Sequence, residues 1–299
     1  MTTAQGTRRR GHAASTVEPT TGRRGGDTAG RHRAGELAWA LSDAAVLTRR
    51  NLLHTVRVRE LWPFMILQPV VFVLLFALVF GGAITLPGGG SYRAFLMAGV
   101  FAQAVAFTTY PTALGIAFDM QLGLMERFRT LPIHPAAIFV GRTISDLARM
   151  AISIAVMALC GVAVGWRISD GPSRAVAGFA LLAAFGFGMS WIGAYLGLTA
   201  KSVQAAQALP MMWLFPLTFV SNVFVPTQNM PGVLEAIANW NPVSSVAAAT
   251  RRLFGNPNPF ADPYAFPARH SVALTLFWSA LLTVIGAVAC TRRMRRVAG

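Results

Sequence analysis

From Trp62 onward the chain alternates long apolar runs with short polar breaks. Six runs reach the length of a membrane-crossing helix: Trp62 to Ile84, Ala94 to Phe118, Ile144 to Trp166, Ala175 to Leu198, Val203 to Val225 and Val272 to Thr291. Each is near the roughly 20 residues an α-helix needs to cross about 30 Å of hydrocarbon. Before them, Glu36 to Glu60 places Leu37, Leu41, Ala44, Ala45, Leu52 and Val56 near helical spacing, with Arg49, Arg50, Arg57 and Arg59 available to a polar face. That pattern predicts an amphipathic helix lying in the membrane interface against anionic lipid, although an ordinary soluble helix shares its periodicity. Between the fifth and sixth runs, MPGVLEAIANWNPVSSVAAATRRLF (Met230 to Phe254) carries two short helical patterns broken by NWNP. They are apolar enough to dip into a membrane and too short to span it, which predicts a re-entrant or interfacial hairpin over a plain loop.

Composition agrees with a lipid solvent: 54% of the 299 residues are hydrophobic and 12% charged, about half the charge of a soluble domain. The fold class expected is therefore all-α and integral to the membrane. Cys160 and Cys290 both fall in apolar runs and cannot define a disulfide framework.

The formal net charge of +15 raises the question of nucleic acid, and the placement of the cations answers it. Eleven of the 26 basic residues precede residue 61 and four lie in RRMRR near the C-terminus. They flank the apolar runs and build no basic face, so no nucleic-acid partner is expected. Residues 1–34 are rich in Arg, Gly, Thr and Ala and nearly devoid of large apolar side chains. Such a segment cannot bury enough surface to offset chain entropy, and we expect a disordered basic tail ahead of a membrane domain over 35–299. The pairs Arg9-Arg10 and Arg23-Arg24 lack the apolar segment and cleavage site of an export signal, so no cleaved leader is expected. With six crossings both termini share one side. Assigning that side to the cytoplasm leaves 20 basic residues inside and 6 outside, the bias that sets orientation. The expected location is the plasma membrane, multi-pass, with both termini cytoplasmic.

The eleven acids all lie in the N-terminal region, at span ends or in loops. A proton- or sodium-coupled carrier usually needs a carboxylate near the midplane, and the pattern offers none. Uncharged polar residues stand in the runs instead; Gln103, Thr109, Tyr110 and Asn222 are candidates for a substrate path, while helix-to-helix hydrogen bonding is their more ordinary use. Catalytic chemistry is not expected. Lys201-Ser202 is preceded by Ala200 and Tyr195 where a phosphate-binding loop needs glycines. The hydrolase elbow fails at GMSWIG by one residue, and the five histidines are scattered without metal-ligand spacing. No catalytic, cofactor or metal site is assigned to the chain.

One stretch breaks the apolar pattern. MERFRTLPIHPAAIFVGR, Met125 to Arg142, interrupts two apolar runs with a Glu, three Arg, a His and two Pro. Glu126 and Arg129 can pair at i,i+3, while Met125, Phe128 and Leu131 offer an apolar ridge. Pro132 ends that short helix and Pro135 can begin the next, which carries Arg142, Asp146 and Arg149 toward the cytoplasmic mouth of the third run. Physics alone predicts a docking element for a cytoplasmic protein, with an ordinary interfacial loop as the alternative.

MERFRTLPIHPAAIFVGRTISDLAR resembles the first cytoplasmic loop of ABC-2 type permeases, particularly the daunorubicin-resistance membrane-subunit family. The resemblance extends over residues 36–299 and includes the external Asn241-Pro242 hairpin; the Arg-rich tail is outside it. It implies that Glu126, Arg127, Phe128, Arg129, Leu131 and Pro132 form a coupling helix against a separate ATPase, with Arg142, Asp146 and Arg149 following at the next span. It further implies a second permease copy, homodimeric or heterodimeric, and ATP and Mg bound on the ATPase, with no cofactor in this chain. The implied activity is export of hydrophobic or amphipathic drugs, antibiotics or lipids. A secondary transporter or channel without an ATPase, or a non-transporting assembly component, are the other readings.

Overall fold

The computed structural model describes residues 67, 70–80, 91–123, 135–224, 230–258 and 265–298. Among them the regular structure is entirely helical. A π-helical segment, Phe76–Phe80, is followed by α1 (Tyr92–Ala106), α2 (Thr109–Gln121), α3 (Pro135–Ala163), α4 (Pro172–Thr199), α5 (Val203–Phe219), α6 (Gly232–Trp240), α7 (Pro242–Phe254), α8 (Phe266–Arg269) and α9 (Ser271–Ala298). Four helical stretches are long and apolar enough to cross a membrane: Tyr92–Gln121, Phe139–Ala163, Pro172–Thr199 and Ser271–Met294. They coincide with the second, third, fourth and sixth apolar runs. The N-terminal tail, the interfacial helix and about half of the first run lie outside the described residues.

The fifth run behaves differently. α5 has 17 residues with Pro210 and Pro216 inside it, and it stops at Phe219. At about 1.5 Å per residue such a helix falls short of about 30 Å of hydrocarbon. Apolar composition predicted a full span; the helix accounts for 17 residues of it and continues through two prolines that remove ladder donors. The segment after it does form the two expected short helices, α6 and α7, separated by Asn241.

The second run is a helix broken in its middle. Pro111 has no N–H, and its ring crowds the carbonyl four residues earlier, that of Phe107. The helix breaks there, at Phe107 and Thr108, between α1 and α2. Threonine hydroxyls occupy the carbonyls around the break: Thr108 Oγ1 donates to Val105 O at 2.7 Å, Thr109 Oγ1 to Ala106 O at 3.0 Å and to Met189 O of α4 at 3.2 Å. A break inside an apolar span is tolerated because these donors replace the lost ladder bonds.

α4 is the central helix, packed on α1, α2, α3, α5, α7 and α9. Its glycines explain the close approach of α2. A Cβ at Gly193 would collide with the carbonyl of Thr109, and one at Gly197 would sit 2.5 Å from that of Ala113. Lipid gives helices no hydrophobic reason to associate, so such backbone-to-backbone fit carries the packing. Two apolar clusters result. One gathers Phe95, Phe101, Trp166, Phe185 and Phe254 toward the start of α1, and the other gathers Ile116, Phe139, Trp191, Leu198 and Cys290 toward the end of α2.

Candidate functional site: a buried ion network beside the polar insertion

Arg142, Asp146 and Arg149 recur at i, i+4 and i+7 of α3 and therefore share one face. That face is turned inward, against α2. Asp146 is 3% exposed, and each of its oxygens is engaged. Oδ2 accepts from Thr112 Oγ1 of α2 at 2.5 Å. Oδ1 lies against Arg149 Nη2 and 3.7 Å from Arg142 Nε. Arg142 then reaches α2 twice more, with Nη1 3.7 Å from Asp119 Oδ2 and Nη2 donating to Pro111 O at 3.3 Å. The guanidinium fits because residue 115 is glycine; a Cβ there would occupy its place.

Two arginines and two aspartates thus form a cluster of zero net charge. Neutrality is what makes its burial tolerable, since an isolated ion in a low-dielectric interior costs several kcal/mol (on the order of the effective desolvation penalty). The sequence pattern placed Asp146 at a span end. It lies inside the helix Phe139–Ala163 and is buried, yet it is engaged by two arginines and a threonine, which is not how a free proton-carrying carboxylate is held.

The cluster also has a defined position in the chain. It joins α2, from Pro111 to Asp119, to Arg142–Arg149 of α3, and these are the two helices on either side of residues 124–134. Glu126, Arg127, Phe128, Arg129, Leu131 and Pro132 fall in that interval and lie outside the described residues.

The other sequence candidates are dispersed. Thr109 is fully buried and committed to Ala106 O and Met189 O, the helix-to-helix use of a span threonine. Tyr110 is half-buried beside the break. Gln103 is 7% exposed and its Oε1 has no hydrogen-bond partner. Asn222 sits at the other end of the bundle, beyond α5, bonded to Ser244 and Arg251. These four do not converge on one cavity. Among the described residues no group of three or more His, Cys, Asp or Glu side chains could hold a metal ion.

Sequence reasoning missed Arg251. Counted as a loop cation, it is fully buried in α7, with its guanidinium carbon 3.7 Å above the Phe95 ring centroid. Burial pushes its pKa down to about 9, with Tyr92 acting in the opposite direction, so it stays cationic at neutral pH. The signal was the small, uncharged run ahead of it: every residue from Val243 to Arg251 is buried, so α7 is enclosed on all sides there and Arg251 with it.

With this geometry in place, comparison with known proteins is decisive. The family model described as ABC-2 type transporter matches residues 43–254. The chain belongs to the ABC-2 type transporter family. It is similar to the daunorubicin resistance ABC transporter permease protein DrrB1 of Streptomyces coeruleorubidus, 36% identical over 197 residues, which is 66% of this chain and 69% of the relative. It is also similar to the doxorubicin resistance ABC transporter permease protein DrrB of Mycobacterium tuberculosis (strain ATCC 25618 / H37Rv), 26% identical over 196 residues, 63% of this chain and 64% of the relative. The chain is thus an integral membrane permease subunit of an ABC transporter, and its buried ion network lies within the matched region.

Proposed function

We propose that this permease is the transmembrane half of an ATP-driven exporter of hydrophobic or amphipathic compounds, a class that includes drugs, antibiotics and lipids. The observation that carries the reading is the ion network joining α2 and α3 on either side of the polar insertion, in a chain similar to two drug-resistance permeases. Apolar walls without an unpaired acid among the described span residues favour uncharged or amphipathic cargo.

In this reading the chain crosses the membrane six times, the fifth crossing being α5 together with the turn that follows it; both termini are cytoplasmic, the interfacial helix precedes the first crossing, and α6–α7 form the external re-entrant hairpin. Residues 1–34 form a basic cytoplasmic tail and 35–299 the membrane domain. A separate ATPase binds ATP and Mg, and a second permease copy completes the path. Glu126 and Arg129 fix a coupling helix whose Phe128 and Leu131 seat in a groove of the ATPase; Pro132 ends it. Closure of the ATPase around ATP pushes that helix, and the Arg142–Asp146–Arg149 network passes the push to α2 and α3 together. The element is a two-state membrane domain biased by a ligand bound on another chain.

The test is to purify the permease with its ATPase and follow retained complex, stimulated ATP hydrolysis and uptake of daunorubicin into inverted vesicles. Loss of a buried apolar anchor at a contact commonly costs more than about 2 kcal/mol, and an exposed ion pair about 1 or less. Phe128→Ala should therefore impair coupling at least tenfold, more than Arg129→Lys, with Pro132→Ala folding normally and transporting poorly. Full complex formation, stimulation and transport in both Phe128→Ala and Pro132→Ala would remove the coupling role.

A further inference from the structure

Arg251 is held in an unusual way for a buried cation. Nε donates to Phe95 O of α1 at 2.9 Å, Nη1 to Asn222 Oδ1 at 3.3 Å, and Nη2 to Asn222 O at 3.0 Å and Val223 O at 3.2 Å. All four acceptors are neutral, and among the described residues no carboxylate pairs with it. Gly99 makes room for the arrangement, since a Cβ there would lie 2.5 Å from Val223 O and 3.2 Å from Arg251 Nη2.

The acceptors have a common origin. α5 stops at Phe219, and a helix that stops leaves C-terminal carbonyls without ladder donors. α7 supplies those donors from both of its ends. Asn241, at its N-terminus, donates through Nδ2 to Leu217 O and Val220 O at 2.7 Å each, and Arg251, in its last turn, takes the two carbonyls of the following turn. A cation also suits the negative end of the α5 dipole. One side chain therefore ties three elements together: α7, the start of α1 and the turn after α5.

A carboxylate in the same place would make a tight pair that could part only by leaving two buried charges. Neutral carbonyls are exchangeable for water. We propose that Arg251 is a releasable latch, a positioning residue that holds α7 against α1 and the end of α5 in this conformation and lets go of them during transport. The proposal rests on the exporter reading and on the external placement of α7.

Asn222→Asp tests it by turning the neutral acceptor into an anion. In purified permease–ATPase complex the variant should melt at a higher temperature, keep ATP hydrolysis, and take up daunorubicin at least tenfold more slowly, because the latch no longer opens. Higher melting with unchanged transport would overturn the proposal, since a merely structural bond can be strengthened without harm. Arg251→Lys keeps the charge and loses the fork; it should transport between wild type and Arg251→Met.

If Asn222→Asp melts lower, thiol access decides. Ala247, fully buried on α7, is replaced by Cys in a background without Cys160 and Cys290. A small impermeant methanethiosulfonate reagent added outside should modify Ala247→Cys several-fold faster during ATP turnover than without ATP. Equal rates would overturn the latch. Ser173→Cys, exposed in the first turn of α4 and following the loop whose Ser169 N–H donates to Phe254 O at the end of α7, reports topology alone. Failure to label it from outside, or wild-type protein without ATP-dependent uptake, would sink the exporter reading and the latch with it; loss of the ATP effect at Ala247→Cys sinks only the latch.

Discussion

Arg142, largely buried, and Arg251, fully buried, lie on helices of the same bundle, at opposite ends of the broken pair α1–α2, and they are neutralised by different means. Arg142 is one of two cations matched by two carboxylates, Asp119 and Asp146, from two helices. Arg251 is matched by none among the described residues; it is solvated by backbone and amide oxygens. The first arrangement resists change, because separating its members exposes charge to a low dielectric. The second can be dismantled group by group. Under the roles proposed above, one end of the molecule transmits force as a unit and the other opens.

The contrast predicts unequal costs. Asp146→Ala should be the most damaging substitution, since it leaves Arg142 and Arg149 buried with only Asp119 between them; breaking a buried pair in this way costs about 3–5 kcal/mol. Purified protein should melt markedly lower or fail to accumulate in the membrane. A melting temperature within a degree of wild type would mean that water reaches the cluster and that the two sites are not different in kind.

Arg251→Met should cost less, although Arg251 is the more deeply buried of the two. The methionine fills much of the volume and leaves neutral carbonyls unpaired, a loss of about 1–3 kcal/mol. The comparison is direct: if Arg251→Met destabilises more than Asp146→Ala in the same detergent, the carbonyl cage is the rigid element and the assignment of roles reverses. Gly115→Ala sharpens the other side of the comparison without touching a charge. Its methyl group would displace the Arg142 guanidinium from its place against α2, an overpacking effect of about 1–3 kcal/mol. Replacing Arg142 by Lys in the same protein should recover part of the loss in melting temperature, because the slimmer side chain leaves space for the methyl group.

How much of this was legible follows from the same pair of sites. The third-run face was readable because Arg142, Asp146 and Arg149 are spaced at i, i+4 and i+7, and local periodicity survives into the structure. Its partners were not: Asp119 and Thr112 meet α3 only after α2 and α3 pack, and nothing in their spacing announces it. Four membrane-capable helices were readable from length and apolarity. α5 was not, because a hydropathy window is blind to Pro210 and Pro216 removing ladder donors inside an apolar run. Arg251 was misplaced for a related reason. Counting charges by side assigns every cation between two spans to water, while this one ends a run of α7, Val243 to Arg251, that is buried throughout. Thr109, named as a path residue, is absorbed by the repair of a proline break that the apolar pattern concealed.

The smallest effect belongs to a pair whose geometry, on paper, is that of a good salt bridge. Arg174 Nη1 donates to Asp170 Oδ2 at 2.6 Å across an i,i+4 spacing at the start of α4, a shorter contact than any Arg142 makes. Yet the Arg174 side chain is 61% exposed and that of Asp170 32%, so water competes for both and the ions gain little from meeting. Asp170→Ala should lower stability by about 1 kcal/mol or less, with a shift in melting temperature that shrinks as salt is raised. Asp146→Ala should show no such salt dependence, because its field is confined to the protein interior. A salt-independent loss at Asp170 comparable to that at Asp146 would mean that distance, not burial, ranks these interactions, and the division of the bundle into a transmitting end and an opening end would lose its physical basis.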